Sequence, residues 1–384
     1  MKVSAVIAEY NIFHNGHKYM IAKIREQSDA VVVVMSGSFV QRGDAAITDK
    51  WSRAEAALLN GADLIIELPV IYALNTAQRF ARGAVSVISE LGIADEICFG
   101  AETGDTALLE RTAEILLNEP PEVSDKIKRY VSGGMSYPSA REMAYKNIIG
   151  PELLQKPNNI LALEYICALK RVKSKIRPRA IARYGAGHHD AEVFENTASA
   201  TAIRCMIFDK TDYSPYIPKA PVYSAIPYDL SRLDNAVIYK LRTIDTDKLA
   251  LINDISEGLE NRIKKMSMTS SCITQLAESI KTKRYTRTRI NRILISSLLD
   301  LTSDLCNMPP EYVRILGTNK TGMKLLASAK KTCRLPIITK AADFDRNNPI
   351  FQAELRATDA FSLCAPTAEF RNGGLDFTVS PVIL

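Results

Sequence analysis

Histidine occurs only four times in this 384-residue chain, and tryptophan once. The seven cysteines (Cys98, Cys167, Cys205, Cys272, Cys306, Cys333 and Cys364) are scattered, odd in number and nowhere paired as CxxC. That spacing excludes a disulfide framework and a structural zinc site of the usual kind. It reads as reduced core cysteine in a cytoplasmic protein. No apolar run approaches the roughly 18–20 residues that a membrane span needs. The opening stretch Met1–Ala8 is apolar for too few residues before Glu9 to be a signal peptide, and reads as a first strand. Internal repeats and low-complexity segments are absent.

What is present is an ordinary globular mixture, 47% hydrophobic and 24% charged. At this length two domains are expected. The net charge of +6 is unevenly placed: residues 1–210 carry 25 Lys and Arg against 25 Asp and Glu, whereas 211–384 carry 24 against 18. Within 262–340 there are 16 basic residues and four acidic ones, Glu278, Asp300, Asp304 and Glu311. A polyanion is the partner such a concentration suggests, nucleic acid first.

The first two hundred residues alternate strand and helix signals. Apolar runs at 3–8, 30–35, 63–68 and 96–99 read as buried parallel strands. Helical periodicity falls at 17–26, 49–60 and 77–91, with Thr48 as an expected N-cap and Gly61 and Gly92 as helix terminators. Residues 105–170 read as mostly helical, a further strand is expected near Arg179–Tyr184, and a helix near Ser199. This alternation predicts a doubly wound parallel sheet, with ligands at the carboxyl ends of its strands. Prolines 215, 218, 221 and 227 and tyrosines 213, 216, 223 and 228 mark a boundary. Three regions are therefore expected: a nucleotide-binding unit at 1–210, a linker at 211–235, and a basic, mainly helical domain at 236–384. A strand–helix–strand run follows 307, with Leu335–Ile338 as its clearest strand.

The histidines fall in two clusters, His14/His17 and His188/His189. The first pair, His14-Asn15-Gly16-His17, comes just after the first strand and opens the first helix. Transfer of an adenylyl group requires stabilisation of charge that builds on the α-phosphate as pyrophosphate leaves. Imidazoles and the free amides of a helix N-terminus both supply it. Gly16 is expected to let the backbone approach phosphate closely. Ser199-Ala200-Thr201-Ala202-Ile203-Arg204 is similar to the (I/S)SxTxxR element of nucleotidyltransferases. Ser199 or Thr201 would cap the following helix and Arg204 would meet the β- and γ-phosphates.

Two further segments invite other readings. Lys265–Thr269 resembles the KMSKS loop of class I aminoacyl-tRNA synthetases, but lacks its second lysine and lies beyond the expected boundary. Adjacent His188 and His189 have no additional ligands spaced nearby, so they read as pocket lining beside Arg183, not as a metal site. Among the basic segments, Lys281, Lys283, Arg284, Arg287, Arg289 and Arg292 precede or interleave the helical spacing of Ile290, Ile293, Leu294 and Leu298. Six cations within 281–292 and no carboxylate is too one-sided for an ordinary solvated face. A second acid-free run, 165–189, includes Lys173 and Lys175 and could steer RNA through its phosphates.

Longer runs carry a resemblance. Glu9-Tyr10-Asn11-Ile12-Phe13-His14-Asn15-Gly16-His17, Gly37–Asp44, Asp49–Glu55, Gly61–Val70, Phe99–Glu102, Pro157–Tyr165 and Arg356–Ala360 resemble the bacterial tRNA(Met) cytidine acetate ligase family. The likeness implies a Rossmann-like α/β fold of the HxGH nucleotidyltransferase type. It also implies a reaction: ATP activates acetate as acetyl-adenylate, releasing pyrophosphate. The acetyl group then passes to N4 of the wobble cytidine of elongator tRNA(Met). His14 and His17 would be catalytic. ATP would lie against Ile7, Ala8, Glu9, Tyr10, Asn11, Ile12, Phe13, His14, Asn15, Gly16, His17, Lys18, Tyr19 and Met20, with Gly100, Asn158, Arg183 and Tyr184. Mg²⁺ is expected with the phosphates. Ile12 stands where the family pattern has proline, and Ala101 where serine is frequent. Two other functions remain open on the residues alone: a small-molecule adenylyltransferase of the pantetheine-phosphate or nicotinate-nucleotide kind, and an RNA-binding protein with a vestigial nucleotide site.

Overall fold

The structure, a computed structural model, describes residues 1–182, 197–218 and 227–384. Among these, the strands are β1 (Val3–Ala8), β2 (Ala30–Ser36), β3 (Phe39–Val40), β4 (Asp44–Ala45), β5 (Leu64–Leu68), β6 (Glu96–Ala101), β7 (Arg177–Ala182), β8 (Val313–Thr318), β9 (Ile337–Ile338) and β10 (Val382–Ile383). The main sheet runs β10-β8-β5-β2-β1-β6-β7, with β9 also on β8; β3 and β4 make a small hairpin. Every pairing in the main sheet is parallel except β5 with β8.

The centre of this sheet is covered on both sides, which is why its strands read as unbroken apolar runs. In β2, Val31, Val33 and Met35 enter one core, while Ala30, Val32 and Val34 enter the other. The helix Lys50–Leu59 starts one residue later than expected: Asp49, not Thr48, is its cap, accepting from the Ser52 amide at 2.8 Å. Gly92 ends the helix Ala77–Leu91 with φ +70°, the left-handed turn that glycine adopts without Cβ strain.

Residues 234–307 form the expected helices, including Leu259–Ser267, Ile273–Ile280 and Arg287–Leu298. The chain after 307 has the expected strand–helix–strand order, with the helix Lys320–Thr332 between β8 and β9, but its strands do not stand apart as a separate unit. β8 inserts antiparallel beside β5, and β9 and β10 extend the sheet, so part of the 236–384 region completes the sheet of the N-terminal half. The physical reason is an edge: without β8, β5 would leave its backbone groups unpaired. Val313, Ile315 and Leu316 bury themselves in filling it.

A buried charge cluster fastens this returning segment. The Lys50 ammonium lies 2.6 Å from Glu67 and 2.7 Å from Asp376, and donates to Thr358 Oγ1 at 3.0 Å. Arg314 on β8 reaches Glu67 at 3.1 Å and Asp376 at 2.7 Å. Burial, then the neighbouring Glu67, push Glu354 well above the usual carboxylate range, against the pull of Lys50. Gly37 is part of the same packing: a Cβ there would sit 2.6 Å from Glu67 Oε1 and 2.7 Å from Glu354 Oε1.

Removing one partner of such a cluster strands the others in low dielectric. Lys50→Met is expected to lower unfolding free energy by about 3–5 kcal/mol in urea titration. A loss below about 1 kcal/mol would show that the cluster does not hold the returning segment.

Candidate active site

At the carboxyl ends of β1 and β6 the sheet opens into a cavity of about 540 Å³. The helix Asn15–Arg25 begins on its rim, and the histidine motif supplies that helix with its cap. His14 is the N-cap: its Nδ1 accepts from the Gly16 amide at 3.1 Å, while His17 Nδ1 accepts from the His14 amide at 3.3 Å. The two rings stack, centroids 3.8 Å apart, and Tyr10 meets His17 edge-on at 4.9 Å. Gly16 is required by this arrangement, because a Cβ would lie 2.9 Å from His14 Cε1. The absent Cβ thus gives room to the His14 ring.

The cavity brings together Ile7, Ala8, Glu9, Tyr10, Asn11, His14, His17, Met20, Gly100, Asn158, Thr201 and Arg204. Others of the expected set lie elsewhere. Ile12 and Phe13 are buried in the core behind the motif, and the Asn11–Ile12 peptide is cis. The Asn15 amide donates to the Pro215 carbonyl at 2.9 Å, Lys18 is exposed, and Tyr19 lies under Lys23. Ser199 caps the helix Ala200–Phe208, accepting from the Ala202 amide at 3.1 Å. Arg183, Tyr184, His188 and His189 fall outside the described residues.

Three side chains set the electrostatics of the wall. Arg204 donates to the Asn11 carbonyl and, at 3.2 Å, to Thr201 Oγ1. Burial lowers its proton affinity, against the pull of Asp44 and Glu9. Glu9 accepts from the Gln41 amide at 2.7 Å. Burial raises Glu9 above the usual carboxylate value, although that bond and the Arg204, Arg42 and Arg53 charges favour its ionised form. Asp44 is raised by burial in the same way, opposed by Arg204.

Sequence reasoning missed one wall of this cavity. Val40, Gln41, Arg42 and Asp44 line it from the loop after β2, and Phe80, Phe99, Leu161 and Tyr165 give it an apolar side. The available signal was the position of Gly37–Asp44 immediately after the second parallel strand, where such sheets bind ligands. Gly43 lets that loop pack on the helix Arg287–Leu298: with φ +80°, a Cβ would meet the Arg292 nitrogen at 2.4 Å.

The basic run is less bare in space than in sequence. Arg284 pairs with Glu257 at 2.5 Å, Arg287 with Glu278 at 2.5 Å, and Lys281 with Glu278 at 3.7 Å. Arg289 and Arg292 both turn to Asp254, at 3.6 and 2.9 Å. Arg292 is buried, so it is not part of an exposed basic face. Lys283, Lys173 and Lys175 are exposed. The Lys265–Thr269 stretch closes the helix Leu259–Ser267 with Ser267 fully buried, away from the cavity lining. All seven cysteines are free. Among the described residues no helix is long and apolar enough to cross a membrane.

The chain is similar to known proteins over essentially its whole length. The family described as HIGH Nucleotidyl Transferase matches residues 1–375. A tRNA(Met) cytidine acetate ligase from Thermoanaerobacter sp. (strain X514) is 40% identical over the whole of both chains. Its counterpart from Acetivibrio thermocellus is 38% identical, again over the whole of both. Thermotoga maritima TmcAL crystallised with alpha-thio ATP superposes with a TM-score of 0.89 at 31% identity, covering 100% of each chain.

The raised Glu9 carries a pH signature. Between its unfolded and its higher folded pKa the folded chain binds more protons, so Glu9 costs stability as pH rises through that window. Glu9→Gln removes the effect. The melting temperature of the variant minus that of the parent is expected to grow from about pH 4 to about pH 7. A gap that does not change would contradict the burial of an ionisable Glu9.

Proposed function

This chain belongs to the tRNA(Met) cytidine acetate ligase family, and on that premise we propose that it is an ATP-dependent ligase for tRNA. It activates acetate as acetyl-adenylate and transfers the acetyl group to N4 of the wobble cytidine of elongator tRNA(Met). The observation that carries this reading is the convergence of His14, His17 and Arg204 on one cavity at the carboxyl end of β1.

In the first step an acetate oxygen attacks the α-phosphorus, and the bond from that phosphorus to the bridging oxygen of pyrophosphate breaks. Negative charge grows on the α-phosphate oxygens and on the leaving group. The His14 and His17 imidazoles, stacked at the helix start, would meet the first, and Arg204 the second. Arg204 is already fixed by the Asn11 carbonyl and Thr201, so little reorganisation is needed as charge develops. Magnesium would accompany the nucleotide and neutralise charge on its phosphates. Among the described residues no group of three or more His, Cys, Asp or Glu is placed to form a protein cage for it.

In the second step the cytidine amine attacks the acetyl carbon, the carbon–oxygen bond to AMP breaks, and the amine loses a proton. The acceptor reaches the cavity splayed out of its stack, as chemistry on a base requires. Exposed Lys283, Lys173 and Lys175, with the half-exposed arginines at 284 and 287, supply phosphate contacts that position the RNA. ATP and tRNA both place this reaction in the cytoplasm.

Incubation with ATP, labelled acetate and total tRNA should put label into N4-acetylcytidine; label in no nucleoside, with pantetheine phosphate or nicotinate mononucleotide consumed instead, would replace this reading. His14→Ala and His17→Ala should each slow acetate-dependent pyrophosphate exchange by well over tenfold, about the effect of losing one transition-state donor. RNA affinity should stay unchanged in both. Joint replacement of Lys283, Arg284 and Arg287 by Ala should weaken tRNA binding and flatten its salt dependence. Equal affinity at all salt concentrations would remove that face from the interface.

A further inference from the structure

Glu102, the residue that follows β6, makes no contact with the cavity, yet it controls a residue that does. Its Oε1 accepts from the Asn158 side-chain amide at 2.6 Å, and its Oε2 accepts from the Asn159 backbone amide at 2.9 Å. The helix Pro157–Arg171 has no side-chain cap of its own, because its N-cap is Lys156. Glu102 therefore supplies the acceptor that this helix start lacks, with a charge of the sign that the helix dipole favours.

The chemical consequence falls on Asn158. An amide side chain is ambiguous, able to present either NH₂ or C=O, but an ionised carboxylate only accepts. By taking the Asn158 nitrogen, Glu102 settles the orientation: the NH₂ is engaged, and the amide oxygen is left as the acceptor on the cavity wall. That oxygen has no partner among the described residues. The surroundings are apolar. Leu161, one helical turn on, lines the cavity with Phe80, Phe99 and Tyr165. Gly100, at the end of β6, lines it without a side chain. A flat heteroaromatic ring suits such a slot, and a ring that donates a hydrogen bond suits the acceptor that Glu102 fixes there.

Resting on the reading of the cavity as an ATP site, we propose that Glu102 is a positioning residue that holds Asn158 to accept from the 6-amino group of adenine. The pair thereby selects adenine over 6-oxopurines. A 6-oxo group would set one acceptor against another and leave both unpaired.

The full-length protein tests this with ATP and inosine triphosphate, measured by direct binding and by acetate-dependent pyrophosphate exchange. The parent chain should prefer ATP by more than about tenfold. Glu102→Ala should reduce that preference at least about fivefold, through KM for ATP, with kcat within about twofold. Glu102→Gln, whose carbonyl oxygen still accepts from Asn158, should restore part of it. Asn158→Ala should abolish the preference, and adding Glu102→Ala to it should change nothing more. Circular dichroism confirms that each variant is folded.

The proposal is overturned if folded Glu102→Ala keeps the full preference, or if it weakens both nucleotides equally. It is also overturned if Asn158→Ala loses discrimination against 2′- or 3′-deoxy-ATP and keeps it against inosine triphosphate, since the acceptor then serves the ribose. Failure of the parent chain to bind ATP at all is a different result: it refutes the nucleotide site itself.

Discussion

One buried guanidinium organises the cavity. Arg53 has no exposure, and its donors go to main-chain oxygens: Thr48 at 3.1 Å, Glu9 at 2.7 Å, Ser36 at 2.9 Å, and Gly37. Those carbonyls belong to the end of β1, the end of β2 and the loop that precedes the helix Lys50–Leu59. Where parallel strands stop, their last carbonyls need donors, and water is excluded here. A planar fork with five N–H groups can serve several at once; an ammonium cannot do so with the same geometry. The outcome is that Glu9, Tyr10 and Asn11 leave β1 along one path. Asn11 adds a second tie, its side-chain oxygen accepting from the Ile47 amide at 2.7 Å. The wall facing the histidines is thus fixed by hydrogen bonds from two directions.

One helical turn earlier, Lys50 does for the C-terminal segment what Arg53 does for the loop. Glu67 on β5, Glu354 on the helix Pro349–Ser362 and Asp376 near the end of the chain surround its ammonium. Burial works against the Lys50 charge, but Asp376 and Glu67 outweigh it and hold the ammonium above the usual lysine value. Charges this deep are worth little as net attraction, since their desolvation offsets most of it. Their value is selectivity: only one placement of β8 and the chain end satisfies Lys50 and Arg314 together. Two cationic residues three positions apart on one helix thereby fix both the loop at the cavity and the completed sheet.

What could be read in the sequence was local. β1, the histidine turn and its helix form one continuous run, so spacing alone exposed the motif, though not that His14 caps the helix. Ser199 as a cap and Gly92 as a terminator are legible for the same reason. What stayed hidden depends on pairs far apart in the chain. Asp254 and Glu257 lie some thirty residues before the arginines they neutralise, so a count confined to 281–292 shows an unpartnered face. β8 meets β5 across nearly 250 residues, and no periodicity names that partner. Gly16 was visible as a glycine, but its reason, the His14 ring, is a matter of packing.

The two halves of the chain meet at one wall of the cavity. The β2–helix loop carries Val40 to Asp44 on one side of the cavity and rests its Gly43 backbone directly on Arg292 and Asn291 of the helix Arg287–Leu298. Arg292 is locked by Asp254, and Arg289 donates to the Asp254 carbonyl and stacks on Tyr285 at 5.2 Å. The inward face of the helix is therefore rigid support for the cavity wall, while Lys283 and Arg287 at its N-terminal end remain toward solvent. A loop held by Arg53 from behind and by this helix from outside has little freedom left. Preorganisation of that kind leaves little to be rearranged when a ligand enters the cavity, because the wall is already held from both sides before anything binds.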